Sequence, residues 1–430
     1  MGTAQTRRLG SILVLWASLL LLVFSGRMYT TDVLAQMEVA GSLSGSRPFM
    51  TVSGDYGWTV QGARSGVFVP HGLGFSILLV PAALAGGAFG LQGGKVAAAL
   101  LNSGLSLVLL GFWYAEASRK YDRVPAARFI LVAIGSMALV YGKVTFDVTA
   151  AAAASMAAYY FFQVGRSVTA GALFGFAVLV RADSVLLFPL FIGGWRDLRR
   201  FSAGAIPFLL MILLVNWYRF GSPLLDGHGQ DPAIAMEPFR GGIPGLLLSP
   251  GKGLLYYAPL CVLALFHQRE WRLWTPFALS LVFHGMLHDW TGGTGWGPRF
   301  LFTSLPFLLM PLCRKSSGGW AFWAVAALGA VVCLPALWSN PSIVEQSSGA
   351  DLFDDPTRQA VIWSYSSSPL FLAFRGFARG LPDVFGATAA AAAGFSPWLG
   401  AFLQWSAGVV LSLFGVFRMR MPPGAEGEPA

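Results

Sequence analysis

Charged side chains are scarce in this sequence. Only 11% of its 430 residues are Asp, Glu, Lys or Arg, whereas 55% are hydrophobic, and the mean hydropathy is +0.62. A water-soluble globular chain is usually about one quarter charged, so this composition excludes an ordinary soluble protein. The apolar stretches recur from end to end and are continuous rather than alternating. They predict an all-α polytopic membrane protein and argue against a transmembrane β-barrel.

Cysteine is rare as well. The three cysteines, Cys261, Cys313 and Cys333, lie in or beside apolar segments and lack the spacing of a metal site. We therefore expect no structural disulfide and no cysteine-based metal site. The sequence also lacks an internal repeat, a large soluble domain and any recognisable nucleic-acid-binding module.

The positive charge that is present is unevenly placed. The net charge of +9 comes from basic clusters that separate apolar segments, for example at 119–123 and 196–200. Such clusters determine membrane topology and lie against anionic lipid. This placement favours a membrane partner over nucleic acid.

The N-terminal region shows the arrangement most clearly. Arg7 and Arg8 precede an apolar run of eighteen residues, 9–26, which spans roughly 27 Å as a helix and so approaches the thickness of a bilayer core. Its length favours an uncleaved anchor over a cleaved signal peptide. With the arginines inside, the positive-inside rule places Asp32 at the outer membrane boundary.

The same rule, applied along the chain, predicts about twelve spans with both termini cytoplasmic. We expect one transmembrane domain, 1–417, followed by a disordered tail, 418–430. A long first external loop, 27–95, would carry interfacial helices and a re-entrant hairpin at 73–90, and a second external segment would cover 338–396. The predicted spans are 9–26, 96–115, 126–142, 148–164, 168–181, 184–195, 203–218, 254–266, 272–288, 300–313, 318–337 and 397–417.

Rare charges collect on one side of this topology. Charges at membrane depth are costly, so each is a candidate for function. The collection predicts an outer pocket with carboxylates for proton transfer and cations for an anionic group. The residues that fall near the outer boundary are Asp32, Glu38, Lys143, Asp147, Arg181, Asp183 and Arg299.

Several of these residues have a plain structural interpretation. Asp32 follows two threonines and could cap the next helix, a role that also fixes the direction of a carboxylate. Glu38, six residues later, would point to the opposite face. Lys143 and Asp147 are four apart and could form an interfacial ion pair. These alternatives remain open at the level of sequence.

Three other features of the sequence can be interpreted either as ligand-binding sites or as purely structural elements. Arg181 and Asp183 interrupt an apolar stretch, and an arginine at this depth suits a phosphate. The glycine-rich segment 290–299 is either a tight interfacial turn with belt tryptophans or the wall of a sugar or phosphate pocket. His284 and His288 could bridge a metal, but the sequence offers no obvious third ligand.

The order of these motifs resembles the GT-C superfamily of integral membrane glycosyltransferases, in particular the branch of protein O-mannosyltransferases and aminoarabinose transferases. Thr31-Asp32 stands where those enzymes have an acid after the first helix. The stretch KVTFD, ending at Asp147, is similar to their second acidic motif, and GALFGFAVLVRAD resembles a glycine-rich helix that ends in Arg-Pro, with Ala182 replacing proline. Three further stretches, NWYRFGSPLLDGHG, LLLSPGKGLLYYAPL and WTGGTGWGPRFL, look like bacterial members of uncharacterised subfamilies.

The resemblance implies a GT-C-like bundle and an inverting sugar transfer from a polyprenyl-phosphate donor in the outer leaflet. Asp32 would be the catalytic base for an acceptor hydroxyl. The residues expected to bind substrate are Asp147, Lys143, Arg181, Arg299, Trp296 and His71. The mechanism requires no metal, and we expect no cofactor.

The sequence also departs from that branch. Asp32 is followed by Val33, where the mannosyltransferases usually have a second acid, and no large C-terminal soluble domain follows. A lipid or glycan acceptor is therefore as consistent with the sequence as a protein acceptor. We expect a location in the bacterial inner membrane with the site facing the periplasm or exterior. The competing hypotheses are a transporter or flippase of a lipid-linked or anionic substrate, and an inactive family member that serves in assembly.

Overall fold

The computed structural model describes residues 3–420, except 47, 55, 57–58, 64–65, 228–240, 294, 318, 341–360, 378–379 and 381. Helices dominate this part of the chain. The α-helices are α1 Thr3–Val23, α2 Thr31–Leu43, α3 Leu73–Lys120, α4 Ala126–Gly135, α5 Ala138–Lys143, α6 Asp147–Gln163, α7 Ser167–Val180, α8 Trp195–Phe220, α9 Gly242–Leu248, α10 Leu254–Tyr257, α11 Leu260–His267, α12 Trp271–Gly285, α13 Leu305–Leu309, α14 Gly319–Trp338, α15 Pro369–Phe377, α16 Phe385–Ala392 and α17 Pro397–Arg420.

Short elements connect these helices. The 3₁₀ segments are Ala182–Phe191, Arg299–Ser304 and Met310–Cys313. A two-stranded antiparallel sheet, β1 Val60–Gln61 and β2 Val67–Phe68, pairs Val60 with Phe68 within the predicted first external loop. The sheet was not predicted from the sequence, because strands of only two residues are too short to show an alternating pattern.

The fold confirms the prediction of an all-α polytopic membrane protein. Among the described helices, α1, α3, α8, α14 and α17 contain segments long and apolar enough to cross a bilayer. Other predicted spans are shorter or interrupted.

The interruptions have local causes. The predicted span 126–142 is divided between α4 and α5, because Met137 adopts a left-handed conformation with φ of 69°. The span predicted at 254–266 is divided between α10 and α11 at Ala258 and Pro259. A proline has no N–H to donate, so it favours such a break.

Helix α3 is bent back on itself at Gly90. This residue has φ of 73° and ψ of 174°, outside the helical region. A Cβ atom on Gly86 would lie 3.5 Å from the Cα of Gly94, although eight residues of straight helix span about 12 Å. The segment 73–120 is therefore a helical hairpin. Its first arm passes through Pro81 without a break. The prediction that 73–90 forms a re-entrant hairpin by itself was therefore wrong, because this segment is one arm and the turn at Gly90 ends it.

Replacing Gly90 with Ala is expected to destabilise the fold by about 1–2 kcal/mol, because a Cβ atom disfavours a left-handed backbone. Gly87→Ala is the matched control, since a Cβ atom on Gly87, in the same helix, would meet no neighbouring group of the described chain within 4 Å. That change is expected to be neutral or stabilising by about 0.5–1 kcal/mol. Thermal unfolding in detergent micelles would compare the two. Equal effects of both substitutions would contradict the strained turn.

The first and last helices pack against each other in opposite directions. Ser18 and Ser412 share a hydrogen bond of 2.7 Å. Gly408 lies against Leu22, whereas Gly415 lies against the turn at Ser11 and Leu15. The described N-terminus and Arg420 therefore lie at one end of the bundle, and α2 begins at the other end. Helix α17 continues three residues past the predicted boundary at 417, and the remainder of the predicted tail, 421–430, lies outside the described residues.

Candidate active site

Asp32 lies in the first turn of α2, immediately after α1. The cap of this helix is Thr30, whose hydroxyl accepts a hydrogen bond from the Val33 N–H at 3.4 Å. The Asp32 carboxylate is therefore not used as the cap. It is 20% exposed, and its Oδ2 accepts a hydrogen bond from Arg299 Nη1 at 3.0 Å. The helix start thus directs this carboxylate toward another part of the chain.

Arg299 follows the glycine-rich segment and lies between two aromatic rings. Its guanidinium carbon is 4.7 Å from the centre of the Phe146 ring and 5.2 Å from that of Phe300. Cation–π contacts of this kind hold a guanidinium in place while leaving donors available. The position of Arg299 is therefore determined by its own segment and by the start of α6.

The glycine-rich segment is itself held by buried groups. Lys252 Nζ donates hydrogen bonds to the carbonyls of Gly293 and Gly295 at 2.8 and 2.5 Å. Tyr141 donates to the Trp296 carbonyl at 2.7 Å. The Trp296 ring is 3% exposed and packs edge-on against Tyr257 at 5.1 Å. The described residues of this segment are thus held by hydrogen bonds and packing, and a substrate contact of Trp296 stays a prediction.

A second cluster of charges forms at the end of α7. Arg181 donates to Asp147 at 2.9 Å and makes two hydrogen bonds to Asp183, at 2.7 and 3.1 Å. His284 Nε2 contacts Asp183 at 3.1 Å, while its Nδ1 contacts the Ser280 carbonyl at 2.8 Å. One arginine therefore connects two carboxylates from different elements, which is the bidentate chemistry that arginine favours.

Phe300 joins the two clusters into one site. Its ring stacks on His284 with centres 4.6 Å apart. The guanidinium of Arg181 lies 5.8 Å from the same ring, and that of Arg299 lies 5.2 Å from it. Two predicted cations thus lie near one aromatic ring, and each of them is hydrogen-bonded to a predicted carboxylate, Arg299 to Asp32 and Arg181 to Asp147.

His71 completes the site from the loop before α3. Its Nε2 lies 4.0 Å from Asp32 Oδ1. The loop is held by Arg219, whose Nη1 donates to the carbonyls of Val69 and His71 at 3.2 and 3.0 Å. A Cβ atom on Gly72 would lie only 2.4 Å from carbonyl oxygens at the end of α7. Glycine at this position therefore permits the loop to approach the Arg181 region.

Burial and neighbouring charges shift the pKa values of Asp32 and His71 in opposite directions. Burial alone would raise the pKa of Asp32, but the positive charges of Arg299 and Arg181, and of His71 when it is protonated, lower it below its usual value. Burial lowers the pKa of His71, and the nearby Asp32 and Asp147 offset this only in part. At neutral pH the site therefore holds an ionised Asp32 beside an imidazole that resists protonation.

Lys143 lies apart from this site. Its Nζ is 3.3 Å from Asp383 and donates to the carbonyls of Leu337 and Ser339 at 2.8 and 3.2 Å. Tyr29 donates to the same Asp383 at 2.6 Å. Lys143 and Asp147 do not pair with each other, because the chain between α5 and α6 is extended. The Lys143 side chain is 0% exposed, so its predicted contact with substrate would require this cluster to open.

Lys143→Met is expected to lower the free energy of unfolding by about 3–5 kcal/mol, because it leaves the buried Asp383 carboxylate without this partner. Combining it with Asp383→Leu is expected to recover part of that loss. Unfolding in detergent micelles would test both variants. If the losses of unfolding free energy from the two substitutions simply added in the double variant, Lys143 and Asp383 would not be a coupled pair.

Glu38 faces away from the site. Its carboxylate accepts hydrogen bonds from the Ser53 N–H at 2.6 Å, from the Ser53 hydroxyl at 3.0 Å and from Tyr56 at 3.0 Å. This agrees with the opposite helix face expected from the six-residue spacing. The acidic residues at 231, 237, 351, 354 and 355, in segments predicted to be external, lie outside the described residues.

Sequence reasoning placed Asp183 in the outer pocket without assigning it a contact with substrate, and it missed other members of the site. Asp183 carried a signal, since it interrupts an apolar stretch two residues after Arg181. His284 was considered only as half of a metal pair with His288. Phe300 and Lys252 carried no signal, because an aromatic residue and a single lysine are ordinary near a membrane boundary. Among the described residues, no group of three metal-ligating side chains occurs; the absence of a metal stays a prediction.

Comparison with known proteins identifies the fold. No protein-family model and no curated protein matches the sequence. A solved structure of ArnT from Cupriavidus metallidurans, bound to undecaprenyl phosphate, aligns with 96% of this chain and 76% of that chain, with a TM-score of 0.50 and 14% identity. The chain therefore shares its overall fold with this ArnT. The apo structure of the same ArnT aligns with 95% of this chain and 75% of that chain, with a TM-score of 0.47 and 14% identity.

This similarity agrees with the all-helical membrane architecture expected from the resemblance. The apolar helices independently indicate an integral membrane protein. At 14% identity the likeness concerns the fold alone. Activity and substrate must therefore be argued from the site.

Proposed function

We propose that the protein is a membrane glycosyltransferase that moves a sugar from a polyprenyl-phosphate donor to an acceptor hydroxyl. The observation that carries this proposal is the Asp32–Arg299 pair, which lies beside the Arg181 cluster in a GT-C-type fold. A base and two cations in one place suit a reaction that removes a proton and releases a phosphate. The ArnT structure with undecaprenyl phosphate supports the class of donor.

Asp32 is proposed as the general base. Its carboxylate would take the proton of the acceptor hydroxyl while the hydroxyl oxygen attacks the anomeric carbon. The bond from that carbon to the phosphate oxygen would break, with inversion at the carbon, and polyprenyl phosphate would leave with the bonding electrons. A positioned base typically contributes about 10²–10⁴-fold to such a step.

The cations would stabilise the leaving phosphate. Charge develops on its bridging oxygen in the transition state, and fixed donors aimed at that charge lower the barrier. Arg299 has donors next to the base, and Arg181 is 13% exposed in its side chain. Asp147 would then hold Arg181 in place or orient a sugar hydroxyl.

The resting pair suggests how the base becomes active. Arg299 keeps the pKa of Asp32 low, which makes the carboxylate a weak base as long as the two side chains are paired. A donor phosphate that draws Arg299 toward itself would remove that restraint and raise the pKa of Asp32. Donor binding would thereby increase the basicity of Asp32 when the acceptor needs it.

The location and partners follow from the same proposal. The site lies at the end of the bundle opposite Thr3 and Arg420, where the described chain begins and ends. With the basic N-terminus inside, the site would face the periplasm or exterior of a bacterial inner membrane. The partners would be the lipid-linked donor and a lipid, glycan or protein acceptor.

The test is transfer by the purified protein in proteoliposomes. Radiolabelled sugars on undecaprenyl phosphate would be supplied with an extract of cell-envelope acceptors. Formation of a labelled glycoside together with released undecaprenyl phosphate would support the proposal. Movement of labelled lipid across the bilayer without a new glycoside would instead support a flippase. Mass spectrometry of envelope glycans from a deletion strain would then identify the acceptor.

A further inference from the structure

A polar cavity lies far from the candidate active site. Its volume is about 560 Å³, and its lining includes Tyr121, His267, Arg269, Glu270 and Arg314. Helix α12 extends from this cavity at Trp271 to the active site at His284, which is about 20 Å at 1.5 Å per residue. The segment 299–313 likewise begins at the site and ends at the cavity. The cavity therefore lies at the opposite end of the bundle.

The charges that line the cavity are mainly positive. Glu270 is the acid in its lining, and its carboxylate is paired with Lys120. Arg269 and Arg314 are exposed, and neither forms an ion pair with a carboxylate in the part of the chain that the structure describes. The Arg314 side chain donates a hydrogen bond to the Ser316 hydroxyl at 2.6 Å. Two guanidiniums without a counter-ion among the described residues favour an anionic ligand.

The surroundings of the cavity are those of a membrane boundary. Phe266, which lines the cavity, is 77% exposed, and Trp271 beside it is 50% exposed. Leu265 and Trp274 are also exposed on the adjoining helices. Exposed tryptophan and apolar side chains at the end of a membrane bundle contact lipid. A ligand in this cavity would thus combine an anionic group with apolar chains.

We propose that this cavity binds the headgroup of an anionic phospholipid, with its phosphate between Arg269 and Arg314 and its acyl chains along the exposed surface of α11 and α12. Basic pockets between membrane helices recognise such headgroups. A soluble phosphate would use the guanidiniums but not the apolar surface beside them. The lipid uses both.

Thermal unfolding of the full-length protein in detergent micelles tests this proposal. Dioleoylphosphatidylglycerol, dioleoylphosphatidylcholine and inorganic phosphate would be titrated separately, since a ligand that binds only the folded protein raises the unfolding temperature. Phosphatidylglycerol is expected to raise this temperature, and the other two are not. An equal shift with phosphatidylcholine, or with inorganic phosphate alone, would overturn the assignment.

Substitutions of the arginines test whether phosphatidylglycerol binds in this cavity. The double substitution Arg269→Gln with Arg314→Gln is expected to weaken binding of phosphatidylglycerol by about thirty-fold, since each basic side chain near an anionic lipid contributes about five-fold. Arg269→Lys with Arg314→Lys keeps the charge and should retain most of the binding. Arg199→Gln with Arg200→Gln removes two exposed arginines outside the cavity lining and should leave the shift unchanged. A full shift in the first double variant would refute the site.

Discussion

Asp32→Asn is expected to reduce sugar transfer by about 10²–10⁴-fold, because an amide cannot accept the proton that a carboxylate base removes. The amide keeps the size of the side chain, and Thr30 rather than Asp32 caps α2. Insertion into the membrane and the unfolding temperature should therefore change little. Initial rates of labelled glycoside formation in proteoliposomes would measure the loss.

The matched control is Glu38→Gln. It makes the same chemical change in the same helix, but Glu38 is bound to Ser53 and Tyr56 away from the site. This variant should retain transfer within about two-fold, in line with a substitution outside the active centre. Full transfer by Asp32→Asn would exclude the general-base role, whatever the control shows.

Arg299→Gln should lower transfer by about 10²–10³-fold, the usual loss when a donor to developing negative charge is removed. It should also change the pH dependence. Arg299 lowers the pKa of Asp32, so its removal raises that pKa and moves the acid limb of the rate profile to higher pH. Rates of transfer across the acid range would reveal both effects.

Arg299→Lys serves as the comparison for this substitution. It keeps a positive charge near Asp32 but loses the planar fork, so the acid limb should shift less than in Arg299→Gln. If the two variants showed the same limb as the wild type, Arg299 would not control the ionisation of Asp32. The loss of rate would then have a positional cause.

The sequence predicted which end of the bundle carries the site because charge at membrane depth is costly and basic clusters orient the helices. Asp32, Asp147, Arg181 and Arg299 indeed meet there. This prediction depended only on the order of the membrane spans along the chain and on the direction in which each one crosses. It did not depend on how any side chain packs.

The partners of each charge could not be predicted in this way. The partners depend on how each helix is rotated about its axis and on where helices break. An apolar sequence in lipid determines neither of these strongly. Lys143 and Asp147 illustrate this, because a helix would have placed them one turn apart. Instead, Asn102 donates to the carbonyls of Tyr141, Gly142 and Val144 and holds the chain between the two helices in an extended form.

The near balance of charge in the site has a thermodynamic consequence. Three carboxylates, from Asp32, Asp147 and Asp183, face the two guanidiniums of Arg181 and Arg299. An anionic ligand that enters adds negative charge beside His71, whose pKa is lowered in the empty site. That charge raises the pKa of the imidazole, so ligand binding and proton uptake become linked equilibria. The affinity of the active site for an anionic ligand should accordingly increase as the pH falls through the pKa that His71 has when the ligand is bound.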